Sequence, residues 1–188
     1  MSKLTNVFSD IRMAILNPPD EIHMQDEYWM NYALSLADNA WKIGEVPVGA
    51  VLIKDNKLVS QGWNQSINLH DPSAHAEMIA IREGGKVLNN YRMVDCTLYV
   101  TLEPCPMCAG LLVHSRIKRL VFGAKDYKTG FAGSLMNLLN DERLNHQIEV
   151  QGDVLAAQCA TKISDFFKMR REQKKAQKQL AKIQNGTN

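Results

Sequence analysis

Two short clusters concentrate the residue types that do metal and acid–base chemistry, His75-Ala76-Glu77 and Pro104-Cys105-Pro106-Met107-Cys108. Cys105 and Cys108 are three apart, so on one helical turn both sulfurs face the same way and can take adjacent corners of a tetrahedron. At a helix N-terminus, exposed backbone N–H groups and the helix dipole lower a thiol's pKa and favour the thiolate that zinc requires. His75 as a third ligand completes a Cys2His set and leaves a fourth position for water, the arrangement of a catalytic zinc rather than a structural one. Glu77 lies about 200° from His75 around an ideal helix, which does not suit two neighbouring ligands of one ion. A carboxylate beside a zinc-activated water can instead take its proton and hand it to a leaving amine, which is general acid/base catalysis by a single group.

The competing reading is a structural zinc site, which needs a fourth protein ligand. His70, His114, Cys96 and Cys159 are the possible suppliers. Otherwise Cys96 and Cys159 are expected to be small buried hydrophobes. His23, His114 and His146 are expected to be hydrogen-bonded or exposed, and His70, two residues before Pro72, to shape an entry turn.

Elements that hold the two clusters can be read from the hydrophobic periodicity. Ala33, Leu36, Ala37, Ala40 and Trp41 recur at helical spacing and predict an amphipathic helix over 26–43. Val48 to Lys54 and Lys57 to Asn64 predict two strands around an Asp55-Asn56 turn. There follow a helix from Ala74 to Arg82 stopped by Gly84-Gly85, a buried strand from Thr97 to Thr101, a helix from Cys105 to Ser115 and a strand from Arg119 to Gly123. A last strand near 147–151 and a long helix from about Val154 into the C-terminus complete the pattern. The order predicts a three-layer α/β/α domain with a mixed sheet, antiparallel at the hairpin and parallel where helices intervene. Of the adjacent Phe166 and Phe167, at least one should be core, since neighbouring helical residues point about 100° apart.

The chain has 188 residues and 21.2 kDa, with 45% hydrophobic and 22% charged residues. That is one globular domain, neither disordered nor fibrous. No apolar run reaches the roughly 20 residues that would span a bilayer. The run Met13-Ala14-Ile15-Leu16 is too short for a signal-peptide core, so no membrane association and a cytoplasmic location are expected. Four cysteines without a secretory signal argue against a disulfide framework. The formal charge of +2 hides an asymmetry: residues 162–188 carry eight Lys or Arg against Asp165 and Glu172, a local +6 on a body of −4. A basic end on an acidic body suits a polyanion, although a solvated helical end has the same composition. Residues 1–24 are expected to be an N-terminal extension, a short helix broken at Asn17-Pro18-Pro19-Asp20 or disordered. Residues 25–175 form the predicted domain and 176–188 a basic tail.

Beyond the two clusters, the chain carries Glu45-Val46-Pro47-Val48-Gly49-Ala50-Val51, Gly62-Trp63-Asn64, His70-Asp71-Pro72-Ser73-Ala74-His75-Ala76-Glu77, Thr101-Leu102-Glu103-Pro104-Cys105 and Phe122-Gly123-Ala124-Lys125-Asp126. With the His-x-Glu and Pro-Cys-x-x-Cys signature of zinc nucleobase deaminases, these blocks resemble the bacterial tRNA adenosine deaminases over roughly residues 25 to 175. The resemblance implies a cytidine-deaminase-like fold with a five-stranded sheet and hydrolytic conversion of adenosine to inosine at the wobble position of a tRNA anticodon. It implies one zinc per subunit on His75, Cys105 and Cys108, with Glu77 as proton shuttle. It also implies base recognition by Asn64, a pocket lined by Val48, Ala76 and Leu102, RNA contacts from Asp126, Asn145 and Phe167, and a homodimer. Two departures stand out: Phe131, where a small residue is expected, and the N-terminal extension. The same zinc chemistry is also compatible with a deaminase of a free guanine- or cytosine-type base or nucleoside. A catalytically idle zinc-stabilised RNA-binding module is a third reading, disfavoured by Glu77.

Overall fold

The computed structural model describes residues 18–19 and 21–185. In chain order the elements are α1 (Ile22–Lys42), β1 (Gly49–Lys54), β2 (Lys57–Trp63), α2 (Ala76–Leu88), β3 (Cys96–Leu102), α3 (Pro106–His114), β4 (Arg119–Ala124), β5 (Glu149–Gln151) and α4 (Ala156–Asn185). The five strands lie in the order β2-β1-β3-β4-β5. β1 is antiparallel to both β2 and β3, whereas β3, β4 and β5 are parallel. The hairpin turns through Asp55 and Asn56 at φ 50° and 55°, the left-handed conformation that a two-residue hairpin demands and that Asp and Asn tolerate. Helix α3 supplies the crossover that parallel β3 and β4 require. This is the predicted mixed, five-stranded α/β architecture.

Alternation along the central strands divides the core into two. Leu52, Leu98, Val100 and Leu120 face one way, against Ala80 and Ile81 of α2 and Leu112 of α3. Val51, Ile53, Tyr99 and Val121 face the other, against Trp29 and Ala33 of α1 and Cys159 of α4. Strands buried on both faces read in sequence as unbroken apolar runs, which is how β1, β3 and β4 read. A buried ion pair also ties α1 to the sheet. Asp26 accepts two hydrogen bonds from Arg119 at 2.7 and 2.8 Å and one from the Tyr99 hydroxyl at 2.9 Å. The clasp with Asp26 raises the Arg119 guanidinium, and burial followed by Asp26 raises the Tyr99 phenol.

Helix α2 departs from expectation: it passes through Gly84-Gly85 and ends at Leu88, with Asn89 in the left-handed conformation at φ 47°. Gly84 provides space rather than a stop, because a Cβ there would overlap Leu52 Cδ2 and stand 3.0 Å from Ser60 Oγ. Both site helices also start later than expected, leaving His75 and Cys105 as N-caps. Of the anticipated N-terminal extension, residues 1–17 and 20 lie outside the described residues, and Ile22, His23 and Met24 open α1. Helix α4 continues unbroken past residue 175 to Asn185. Among the described residues no helix is long and apolar enough to cross a membrane.

Candidate metal and catalytic site

Both clusters sit at helix N-caps above the end of β3. After Leu102 the chain passes through Glu103-Pro104 to Cys105, whose extended backbone (φ −72°, ψ 171°) makes it the N-cap of α3. Pro106 follows at the first helical position, where its missing N–H is no loss. Cys108 is then the third helical residue, the one an N-cap side chain naturally reaches. The sulfurs therefore converge through a cap, not through a full helical turn. His75 is likewise an extended N-cap (φ −77°, ψ 156°), so the 200° separation from Glu77 does not apply and both side chains face the cysteines.

His75 Nδ1 lies 3.6 Å from Cys105 Sγ and 3.6 Å from Cys108 Sγ. Ligand distances of about 2.05 Å to nitrogen and about 2.3 Å to sulfur, at a tetrahedral angle, imply an N···S edge of about 3.6 Å. The donor set therefore has the chemistry and the spacing for zinc. Its three ligand atoms lie within 4.8 Å of one another, and no fourth ligand joins them among the described residues. The candidates for a structural fourth ligand are elsewhere: Cys96 Sγ points to Val94 O, Cys159 Sγ stands against Gly123, and His70 and His114 are exposed. Burial raises both the Cys96 and Cys159 thiols, as befits core hydrophobes.

Electrostatics couple the triad. The Cys105 thiol is pulled down to about 4, first by a hydrogen bond from the Cys108 thiol and then by His75, against the opposing effect of burial. Cys108, the donor of that bond, moves the other way. His75 is raised, chiefly by its bond to Cys105. Such a set shares protons that a divalent cation displaces on binding. Glu77 is buried, and desolvation raises its carboxyl above the ordinary range, with His75 among the opposing influences.

The structure gathers three more of the sequence-predicted residues around His75. Asn64 Oδ1 accepts the Ala76 N–H at 2.9 Å, while the Asn64 N–H bonds Val48 O at 3.1 Å. Asn64 thus ties the ends of β1 and β2 to the first turn of α2. Leu102 ends β3, paired with Ala124. Asp126, two residues on, closes a turn with bonds from Lys128 N–H at 2.9 Å and Thr129 Oγ1 at 2.6 Å. Burial works against its charge, but these bonds leave the carboxyl below its usual range. Phe131 is half-buried against the core face that packs α2 and α3. Phe166 is the core member of its pair, edge-to-face against Trp41, while Phe167 is exposed on α4. Asn145 is not brought to the triad: its carbonyl accepts from Arg116, just before β4 starts, whereas Cys105 follows the end of the parallel strand β3.

Sequence reasoning missed two buried acids beside the site. Glu45 Oε1 accepts the Ile67 and Asn68 N–H groups at 2.7 and 2.8 Å, ordering the loop between β2 and His75. Glu103 plays the corresponding part for residues 126–134. Each precedes a proline by one or two residues, a local hint, but their burial depends on loops far along the chain.

The profile of the cytidine and deoxycytidylate deaminase zinc-binding region matches residues 23–124. The tRNA-specific adenosine deaminase of Haemophilus influenzae is 57% identical over 158 residues, 84% of this chain and 91% of its own length. That of Bacillus subtilis is 48% identical over 152 residues, 81% and 94%. A structure solved in work on A-to-I editing by tRNA:A34 deaminases at the wobble position superposes with TM-score 0.70 at 36% identity, covering 72% of this chain and 98% of that one. The Bacillus subtilis guanine deaminase gives TM-score 0.51 at 40% identity over 53% of this chain and 64% of that one. A profile matched over half the chain, and relatives similar along nearly all of their own length, establish that this chain belongs to the zinc-dependent cytidine and deoxycytidylate deaminase family, among its tRNA-specific adenosine deaminases.

Proposed function

We propose that this protein hydrolyses the amino group of adenosine at the wobble position of tRNA, giving inosine and ammonia. The observation that carries the reading is the His75, Cys105 and Cys108 triad with a buried carboxyl, Glu77, facing it. The Haemophilus and Bacillus relatives support the substrate. His75, Cys105 and Cys108 hold the metal. Zinc, when bound, supplies the Lewis acidity that makes water nucleophilic near neutral pH. Glu77 takes one proton of the attacking water and delivers it to ring nitrogen N1, then moves the second, from the new C6 hydroxyl, to the amine. A C6–O bond forms, the C6–N bond breaks, ammonia leaves with the second proton, and inosine keeps the first on N1. The raised carboxyl of Glu77 suits a group that must both accept and donate.

Asn64 orients the base. Its Oδ1 is committed to Ala76, which leaves the Nδ2 hydrogens to face the substrate. Val48, Ala76 and Leu102 line the pocket. An unpaired anticodon loop lowers the cost of exposing the adenine. Asp126 and Phe167 contact neighbouring nucleotides, and the cationic side chains of α4 follow the phosphates. Exposed apolar side chains at Ile67, Leu69, Met107, Leu135 and Met136 lie on the loops and helix turn that carry the site. They support a homodimer that covers them, in which Asn145 serves RNA held at the partner's site. Such an enzyme works in the cytoplasm, where tRNA is.

The test is inosine formation in an anticodon stem-loop with adenosine at the wobble position, comparing the zinc-loaded protein with Glu77→Gln. The parent should produce inosine and the variant should lose about 10²- to 10⁴-fold in rate while keeping its zinc. A parent that left the stem-loop unchanged but released ammonia from guanine or cytosine would keep the metal chemistry and overturn the substrate.

A further inference from the structure

Glu103 has no part in the chemistry above, yet it is 2% exposed and lies two residues from the ligand Cys105. Its Oε1 accepts the Ala132 and Ser134 N–H groups, both at 3.0 Å. Its Oε2 accepts the Asp126 N–H at 3.0 Å and the Ser134 hydroxyl. All four donors come from one loop, 126–134. The same loop is tied a second time, by the Phe131 N–H to Pro104 O at 2.9 Å. Gly130 makes room for the acid: a Cβ there would overlap the Glu103 carboxyl and stand 2.5 Å from Asp126 O. Glu103 is itself anchored, its N–H bonded to Ala124 O at 2.8 Å. This side chain, together with the Phe131–Pro104 backbone bond, therefore ties the loop that presents Asp126 to the turn that holds Cys105.

We propose that Glu103 is a positioning residue for the RNA substrate, holding loop 126–134 so that Asp126 meets the nucleotide beside the target adenosine. This rests on the wobble-adenosine reading above. A brace needed for stability alone would be better made of apolar side chains, because burying an acid carries a desolvation cost. What a carboxyl offers is the capacity to gather several diverging donors from an irregular loop.

The isostere Glu103→Gln acts on one end of the loop. With its amide oxygen placed to receive Ala132 and Ser134 N–H, the NH2 replaces Oε2. The Ser134 hydroxyl can rotate to accept from it, but the Asp126 N–H then faces another donor. The variant should keep one zinc per chain, a kcat within about twofold of the parent, and a KM for the stem-loop raised about tenfold, the effect of one buried donor left unpaired. Amide exchange at Asp126 should speed up. Ser134→Ala removes one bond without adding a donor and should raise KM about threefold. An unchanged KM in Glu103→Gln overturns the proposal, and so does a loss of zinc and kcat with KM unmoved, the pattern of a merely structural part. If Glu103→Gln does not fold, the KM of Ser134→Ala decides in the same way. A parent that makes no inosine refutes the functional reading instead, and unaltered exchange at Asp126 in Glu103→Gln then overturns the brace separately.

Discussion

Gly62 and Gly49 make a paired test of what positions the zinc ligands. A Cβ on Gly62 would overlap Ala76 O and stand 2.8 Å from Ala80 N and 3.0 Å from Ile79 Cβ, all in α2. A Cβ on Gly49 would overlap Ala33 O and stand 2.7 Å from Ala37 N, in α1. The two glycines lie diagonally on the same hairpin, Gly49 opposite Trp63 and Gly62 opposite Ala50, and present opposite faces of the sheet to the two helices. In each case the helix must retreat by about 1 Å to restore ordinary contact distances. Overpacking of this kind costs about 1–3 kcal/mol, which in a domain of this size lowers Tm by roughly 3–10 °C. The costs match, but the consequences do not. Helix α2 carries His75 at its cap and Glu77 in its first turn, whereas α1 carries no ligand. Metal ligand distances tolerate only about 0.2 Å, and a misplacement of about 1 Å in a site can cost 10²-fold in rate. Gly62→Ala should therefore lose most of its zinc to a mild chelator and most of its inosine formation, while Gly49→Ala keeps both at a similar Tm. Zinc per chain by mass spectrometry, melting by circular dichroism and the stem-loop assay read the three quantities. Equal zinc retention in the two variants at equal destabilisation would refute the reasoning.

Other consequences can be checked separately. Arg119→Ala leaves buried Asp26 with Tyr99 as its remaining partner and should destabilise the fold by about 3–5 kcal/mol in urea denaturation, most of it recovered when Asp26→Leu is added to Arg119→Leu. Reversing Arg171, Lys175 and Lys178, all exposed on α4, to glutamate should weaken stem-loop binding and flatten the log–log salt dependence by about 2, since each single-strand phosphate contributes about 0.7. The Cys159 thiol, pushed by burial up to about 11, is neutral at pH 8 because that lies below its pKa; it should resist maleimide in the folded protein and react once unfolded in urea.

The metal chemistry is legible in the chain itself, because Cys105 and Cys108 are close enough in sequence for one helix start to converge them, and because helix starts favour thiolates. The sheet is legible too: doubly buried strands and an Asp55-Asn56 turn leave local marks of period and propensity. Extended caps at His75 and Cys105 are not, since a helix boundary depends on which backbone groups find tertiary partners. Gly84-Gly85 misleads for the same reason, its role being set by Leu52 of a strand some thirty residues earlier. Nor does any local signal announce Glu103. A glutamate before a proline reads as a surface residue until three amide groups from 126–134 fold over it. Residue type and short spacing thus decide which chemistry the chain can do. The distance between the His75–Cys105–Cys108 triad and loop 126–134 is decided only when segments far apart in sequence pack together, because only packing can make a buried acid the centre of a loop.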